Sequence, residues 1–531
     1  MTHTPDIKKV YLVGGGIASL ASALYLIEDA QISGEKIVIL EEADAIGGSL
    51  DASGSPEEGY RMRGVRMLEK HYDSTYDLLN RIPSLTNPQK TVKDEIFEFN
   101  EKVKTFAKAR LMSGGEIVNT KSLGLIEEDR LDLIRLLTSP EESLGTKTIA
   151  DYFPASFFKT NLWYLLATTF AFEPWHSLKE ARRYFFRFIH LFNDTGIKHL
   201  SNVWSTPYNQ RESIVLPLVK WLTEKGVIFE TSIRVIDIDF DVSNTEKKAH
   251  RIKYIKSDNS GEFILGEHEY VFVTLDSMTR GSIFGSMHSA PKIDEVGIQN
   301  TKTLWENIAK KSTDFGKPSA FSGNIPQSKW ESFTITFKDP TFFTVVEKLS
   351  GNENGTGGLI TFTDSNWFIT IALVYQPHFI NQPHNVQVAW GYALYPDKEG
   401  NIVKKKMSEC TGEEILKELL FHLRFKETDQ ETVLKTSICI PCMMPFITSQ
   451  FMPRIPGDRP LVVPHGAQNF AFIGQYSEIP EDTVFTVEYS VRSAQEAVAS
   501  LFKIKNARTP LYKGWHDLSV LYNVFKEIEE R

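Results

Sequence analysis

The stretch that decides the fold is KVYLV-GGG-IASLASALYLI, residues 9–27, with KIVIL-EE behind it at 36–42. The apolar run Lys9–Val13 predicts a strand and Gly14-Gly15-Gly16 a tight turn. Ile17–Ile27 predicts a helix, and Lys36–Leu40 a second buried strand that ends in Glu41-Glu42. Such a βαβ unit suits a dinucleotide. Gly14 permits the turn, Gly16 lets a pyrophosphate approach the backbone, and the small Ala18 and Ser19 allow close packing. The helix N-terminus then turns its partial positive charge toward the phosphates. An acidic side chain after the second strand takes the ribose hydroxyls, a role open to Glu41 or Glu42. The last glycine of the usual pattern is Ser19 here, and the acid arrives late because the Ala30–Gly34 turn is long.

Working outward, Ala45-Ile46-Gly47-Gly48-Ser49 forms a second glycine turn and favours FAD over NAD. In flavoproteins of the glutathione-reductase-like class, a turn in this place meets the flavin's phosphates and ribityl chain. Arg61-Met62-Arg63-Gly64-Val65-Arg66 follows, and three arginines beside a pyrophosphate turn favour an anion contact over a solvated loop. Thr231–Phe240, Tyr270–Leu275 and Phe470–Gly474 read as further strands of the same domain, with the Val235 backbone placed for the adenine, as in that class. Pro480–Ala499 starts with Pro/Asp and continues at helical spacing. Arg63, Gly64, Gly474, Val484, Phe485 and Thr486 complete the expected cofactor set with Gly47, Gly48 and Ser49.

The expected fold class is α/β: a Rossmann-like FAD-binding domain of the glutathione-reductase-like class, an α+β substrate domain and a helical C-terminal tail. The FAD domain is discontinuous, built from 1–110, 215–285 and 455–505. Residues 111–214 form a mainly helical, aromatic-rich insertion, 286–454 the substrate domain and 506–531 the tail. No internal repeat or low-complexity tract interrupts this order.

Composition narrows the class further. In 531 residues, 41% hydrophobic content with a net charge of −9 supports a large folded core and argues against wholesale disorder. A pI near 5.9 argues against a nucleic-acid partner, which would require a basic face. Three cysteines (Cys410, Cys439, Cys442) are too few for a disulfide scaffold and fit a reducing, cytoplasmic setting. No apolar run reaches the length of a signal-peptide core or a spanning helix, so the chain is expected to be soluble or to touch a membrane surface at most.

Long runs along the chain then resemble one family, the oleate (fatty-acid) hydratases, once called myosin-cross-reactive antigens. They are ILEEADAIGGSLDASG (39–54), RGVRMLEKHYDSTYDLL (63–79), ATTFAFEPWHS (167–177), ARRYFFRFIH (181–190), YNQRESIVLPL (208–218), QPHFINQP (376–383), CIPCMMPFITSQFMPR (439–454) and FIGQYSEIPEDTVFTVEYSVRSAQ (472–495). The resemblance implies structural FAD with no net redox. The implied reaction adds water across the cis-9 double bond of a long unsaturated fatty acid, giving a 10-hydroxy acid. Its partners are the fatty acid and water.

Hydrating an isolated alkene requires a positioned acid, a held water and a dry tunnel. Many family members carry Arg-Gly-Gly-Arg-Glu-Met, whose glutamate orients or activates the water. This chain reads Arg63-Gly64-Val65-Arg66-Met67-Leu68. Met67 has no proton to exchange and accepts hydrogen bonds only weakly. Glu69, two residues on, is either a substitute or a solvated carboxylate. The resemblance carries the proton donor's role to Tyr184, in Arg182-Arg183-Tyr184, where the arginines are expected to lower its pKa; from spacing alone Tyr184 is a core aromatic. Gln210, with Asn209 beside it, and His378 are expected at the fatty-acid carboxylate or tunnel wall, though a lone histidine is as readily structural. Ala372 and Val374 replace a Thr and an Asn of other members, so headgroup contacts differ.

Other signals carry less. Cys439-Ile440-Pro441-Cys442 lacks the strand-to-helix context of a redox pair and a second ligand pair for zinc, so no metal is expected. After the basic Lys503, Lys505, Arg508 and Lys513, the residues Leu518, Leu521, Val524, Phe525 and Ile528 recur at helical spacing. That helix docks on the body or makes peripheral contact with a lipid surface. The strand before Gly14 starts by Lys9, without the longer extension that helps many family members dimerise, so a monomer is expected. Two rival functions remain: a flavin oxidoreductase or desaturase on a lipid, and a non-catalytic FAD and fatty-acid binding protein.

Overall fold

The computed structural model describes residues 7–193, 195–300, 303–505 and 507–529. Its centre is a five-stranded parallel sheet in the order Phe470–Ile473, Glu269–Thr274, Lys9–Val13, Ile37–Leu40, Ile228–Glu230. Lys9–Val13, Ile37–Leu40 and Phe470–Ile473 are almost wholly buried, which is why they read as unbroken apolar runs. Helices Ile17–Glu28 and Val487–Leu501 pack on each other against the sheet.

One strand assignment differs from expectation. Thr231–Phe240 does not join the parallel sheet, whose edge is Ile228–Glu230. Ser232 takes a positive φ of 56°, and Ile233–Val242 then starts a separate antiparallel sheet with Lys247–Lys256 and Asn259–Ile264. The alternation of TSIRVIDIDF is the physical reason: it gives one buried face and one wet face, as an antiparallel meander needs. Val235 sits on that meander, with its side chain buried.

The second large sheet has eight strands, in the order Ile283–Phe284, Ser437–Met444, Trp330–Phe337, Gln387–Ala393, Ile369–Ala372, Leu359–Phe362, Leu111–Ser113, Glu116–Ile117. Its last two strands come from the stretch expected to be mainly helical, and are too short to show a period in sequence. The rest of that stretch supplies the helices Glu127–Thr138, Asn161–Phe170 and Leu178–Arg187. Along Trp330–Phe337 the side chains alternate. Phe333, Ile335 and Phe337 enter a separate apolar core. Thr334 and Thr336 face the other way and accept hydrogen bonds from the Met62 and Tyr60 amides at 3.0 and 2.8 Å. Those bonds clamp the hairpin 52–62 to the sheet and so place the loop 63–67.

The tail docks on the body. Helix Leu518–Glu529 buries Val524 against Leu123, Leu133, Leu162 and Phe192, while Leu518 and Tyr522 stay 82% and 70% exposed. The side chains of Phe525 and Ile528 lie outside the described set. No described helix is long and apolar enough to cross a membrane.

Candidate active site

At the first glycine turn, the helix N-terminus at Gly16 has no side-chain cap and no acidic residue in its first turn. Its amides are therefore free for an anion. The second turn lies directly against it: a Cβ on Gly48, whose φ is +58°, would meet the Gly16 Cα at 3.0 Å. The buried hydroxyls of Ser19 and Thr274 have no partner among the described residues. Of the two candidate acids, Glu41 folds back to accept the Gly15 amide, whereas Glu42 points outward to Arg234 at 3.8 Å and is 70% exposed. Two glycine turns in contact, an uncapped helix start and a carboxylate between them fit a dinucleotide such as FAD. Ala18 is buried beneath the turn, Gly474 approaches it, and Ser49 lies in the turn beginning at Gly48. Arg63 and Gly64 lie beyond, with Arg63 Nε 3.6 Å from Asp51 and unpartnered by hydrogen bonds.

Two adjacent cavities open beside these turns. The first encloses about 860 Å³ of space, its open mouth included, and is lined by Asp51, Gly64, Arg66, Gln210, Val374 and His378, among others. The second, about 840 Å³, is lined by Glu69, Tyr72, Phe170, Tyr184, Trp330, Phe485 and Thr486, among others. Val65, Arg66, Met67, Val203 and Leu359 wall both, so Met67 stands at the junction. The linings are mostly apolar, as an acyl chain requires.

Tyr184 is buried among Phe170, Phe172, Phe188 and Phe451, and its hydroxyl donates to the Val484 carbonyl at 2.5 Å. Burial holds the phenol well above its ordinary pKa, opposite to the expected lowering by Arg182 and Arg183. Residues adjacent on a helix do not face each other. Arg182 covers the Phe186 ring and Arg183 is bound by Glu141 and Glu478 at 2.8 and 2.9 Å. The arginine that does face Tyr184's surroundings is Arg187, one turn on, which sequence reasoning passed over.

Glu69 is not solvated. It is 2% exposed, lies 2.9 Å from Arg187 and 3.3 Å from His190, and accepts the His71 amide at 2.9 Å. Burial alone would raise its pKa, yet the bond to His190 and the Arg187 charge hold it below the usual carboxylate value. It stays ionised and serves as a fixed partner, unsuited to exchanging protons at neutral pH. Glu69, His71 and His190 bring ligand-type atoms within 4.8 Å of one another, a grouping that can hold a cation in principle; Arg187 already neutralises the carboxylate.

Gln210 donates to the Arg66 carbonyl at 2.5 Å, and its Oε1 and both buried ring nitrogens of His378 have no partner among the described residues. Burial lowers His378 to about 3, so the imidazole is neutral. Asn209 does not face substrate space alone: it anchors the His378 carbonyl at 2.8 Å through its amide and Glu212 at 2.7 Å through Nδ2. The structure thus brings Gln210, His378 and Val374 together in the first cavity and Tyr184, Met67 and Glu69 around the second. Cys439 and Cys442 are buried free thiols within one strand, with pKa values raised by burial.

A sequence model described as the MCRA family matches residues 7–499. An oleate hydratase of Streptococcus pyogenes serotype M49 (strain NZ131) is 38% identical over 99% of this chain and 90% of its own length. A linoleate hydratase of Lactiplantibacillus plantarum is 32% identical over 92% of each chain. Among solved structures, cyclohexylamine oxidase from Brevibacterium oxydans IH-35A superposes with a TM-score of 0.52 at 14% identity, covering 94% of this chain and 99% of its own. A putrescine oxidase bound to putrescine gives 0.52 at 10% identity, over 93% and 99%. These two likenesses establish the fold.

Proposed function

The chain belongs to the MCRA family, and from that premise we propose that it adds water across the cis-9 double bond of a long-chain unsaturated fatty acid, oleate giving 10-hydroxystearate. The observation that carries the reading is the pair of adjacent apolar cavities that share the wall at Met67, one lined by polar headgroup candidates and one containing a buried phenol. The acyl carboxylate is held at Gln210 and His378, and the chain runs past Met67 into the second cavity. Tyr184 delivers its proton to one alkene carbon as water attacks the other. Its high pKa suits an acid that must remain protonated until the alkene is in place. Apolar walls exclude bulk water from the developing positive charge, which would otherwise be quenched indiscriminately.

The cofactor is FAD, held by Gly14, Gly16, Glu41, Gly47 and Gly48. Bound by those residues it would serve a structural role, with no net redox change in the reaction. The domain boundaries fit this division of labour: the three FAD-domain segments supply all five parallel strands. The enzyme works as a cytoplasmic monomer, and the exposed Leu518 and Tyr522 of its tail touch lipid surfaces that hold its substrate.

Incubating FAD-loaded protein with oleate in H₂¹⁸O tests the reading. Labelled 10-hydroxystearate is expected. An oxidised product with reduced flavin would instead identify a lipid oxidoreductase, and unchanged oleate a binding protein.

A further inference from the structure

Water must be held in the second cavity, and Met67 occupies the place of the family's glutamate. Around that cavity most side-chain oxygens already have at least one hydrogen-bond partner. Glu69 is bound by Arg187 and by the His71 amide. Thr168 donates to the Tyr164 carbonyl at 2.8 Å, and Thr169 accepts from Arg110 at 2.9 Å. Tyr392 donates to the Thr168 carbonyl, and Thr486 to the Thr483 carbonyl at 3.0 Å. Trp330, Trp390 and Arg66 each keep a buried N–H group without a partner among the described residues, but an indole or guanidinium only donates and cannot take a proton from water. Tyr72 differs from all of these. It lines the cavity, is 5% exposed, and its hydroxyl has no hydrogen-bond partner among the described residues. Its ring is fixed beneath the Arg187 guanidinium at 5.5 Å, and it directly precedes the helix Asp73–Leu79.

We propose that Tyr72 is a second catalytic phenol, whose oxygen accepts a hydrogen bond from the attacking water and relays the proton that water gives up. The proposal rests on the hydratase reading above. The atoms balance without an oxidant. The Tyr184 O–H bond breaks and the alkene π pair forms a C–H bond. A water lone pair forms the C–O bond at the other carbon. The surplus proton passes to the Tyr72 oxygen while the Tyr72 proton moves on to the Tyr184 phenolate, restoring both phenols. A phenol is a feeble base, yet water bonded to an electron-deficient carbon is strongly acidic, so a correctly placed weak acceptor suffices. Burial raises the Tyr72 pKa and keeps it a neutral phenol at rest, and Tyr72 in turn is among the groups that hold Tyr184 protonated.

Tyr72→Phe removes only the oxygen and preserves the packed ring. Steady-state hydration of oleate is measured for wild type, Tyr72→Phe and the double variant Met67→Glu/Tyr72→Phe, with FAD content and circular dichroism for each. The expected result is a kcat lowered roughly 10²-fold in Tyr72→Phe with KM and FAD content kept. The double variant is expected to recover at least about tenfold, because a carboxylate again holds the water. A Tyr72→Phe kcat within about threefold of an active wild type overturns the proposal and leaves the hydratase reading standing. Loss without recovery in the double variant, both proteins folded and FAD-loaded, also overturns it. A wild type that hydrates nothing overturns both readings together.

Discussion

Arg187 Nη1 stands 2.9 Å from Glu69 Oε1 with both side chains withdrawn from solvent, and this pair ties the loop that carries Met67 to the helix that carries Tyr184. Removing one partner of a buried pair strands the other. Glu69→Ala is therefore expected to destabilise the fold by about 3–5 kcal/mol in urea or thermal unfolding. The pH dependence has a defined sign. The folded pKa of Glu69 lies below its unfolded value of about 4.3, so its contribution is complete above that pH. It is lost as pH falls through the folded value. Acid titration of wild type against Glu69→Gln should show the wild type losing more stability below about pH 4.

Tyr184→Phe is expected to lower hydration by roughly 10²–10⁴-fold while FAD stays bound. The hydroxyl's partner is the Val484 carbonyl, so its removal leaves one backbone acceptor free and no charge uncovered. Burial puts the phenol's titration far above neutrality, so no alkaline loss of kcat below pH 9 should trace to Tyr184. A rate kept in the Phe variant would remove Tyr184 from the reaction.

How far the sequence reached depends on how local the signal was. The strand, glycine turn and helix of residues 9–28 were legible because a dinucleotide turn is contiguous, with a helix that opens on Gly16. The alternation of Thr231–Phe240 shows a strand but not the sheet it joins, since it reports a half-wet strand and not its neighbours. The strands Leu111–Ser113 and Glu116–Ile117 gave no period at all. At the site, Glu69 could be placed beside Met67, but its burial depends on Arg187 and His190, which lie more than a hundred residues away. Tyr72 carries no sequence signal for the same reason: only the folded chain shows an unpartnered hydroxyl in a cavity.

Gly48→Ala tests the cofactor turns. The residue has a φ of +58°, and the new Cβ would meet Gly16 Cα at 3.0 Å. Left-handed backbone costs a non-glycine residue roughly 1–2 kcal/mol, so FAD affinity should fall by about tenfold or more. Flavin content after dialysis measures this, and full retention would move the cofactor away from this turn.

His378 binds, on this reading, as a neutral donor. Its pKa is lowered by burial to about 3 from the ordinary 6.5. His378→Ala is expected to raise the KM for oleate about tenfold or more, the worth of a hydrogen bond to a charged group, with kcat less affected. KM should be flat from pH 5 to 8, because nothing on the imidazole titrates there. The unfolded chain takes up the proton first, so this residue makes the fold lose stability as pH drops from 6.5 toward 3. A KM that rises steeply as pH increases through 6.5 would show a charged imidazole and remove the neutral-donor role.

The tail separates two effects that truncation alone confuses. Val524 is buried and the Tyr512 ring stacks on His71 at 3.7 Å, so cutting after Ala507 removes core contacts as well as surface. Leu518 and Tyr522 are 82% and 70% exposed and touch little of the body. Leu518→Ser/Tyr522→Ser should therefore leave the unfolding free energy within about 1 kcal/mol of wild type, as two surface substitutions do. The same change should weaken flotation with anionic vesicles, since each lost apolar side chain forfeits about 1.5–3 kcal/mol of burial in lipid. The truncated protein should lose both flotation and stability. Equal flotation of all three proteins would show that the exposed residues of this helix do not meet the membrane.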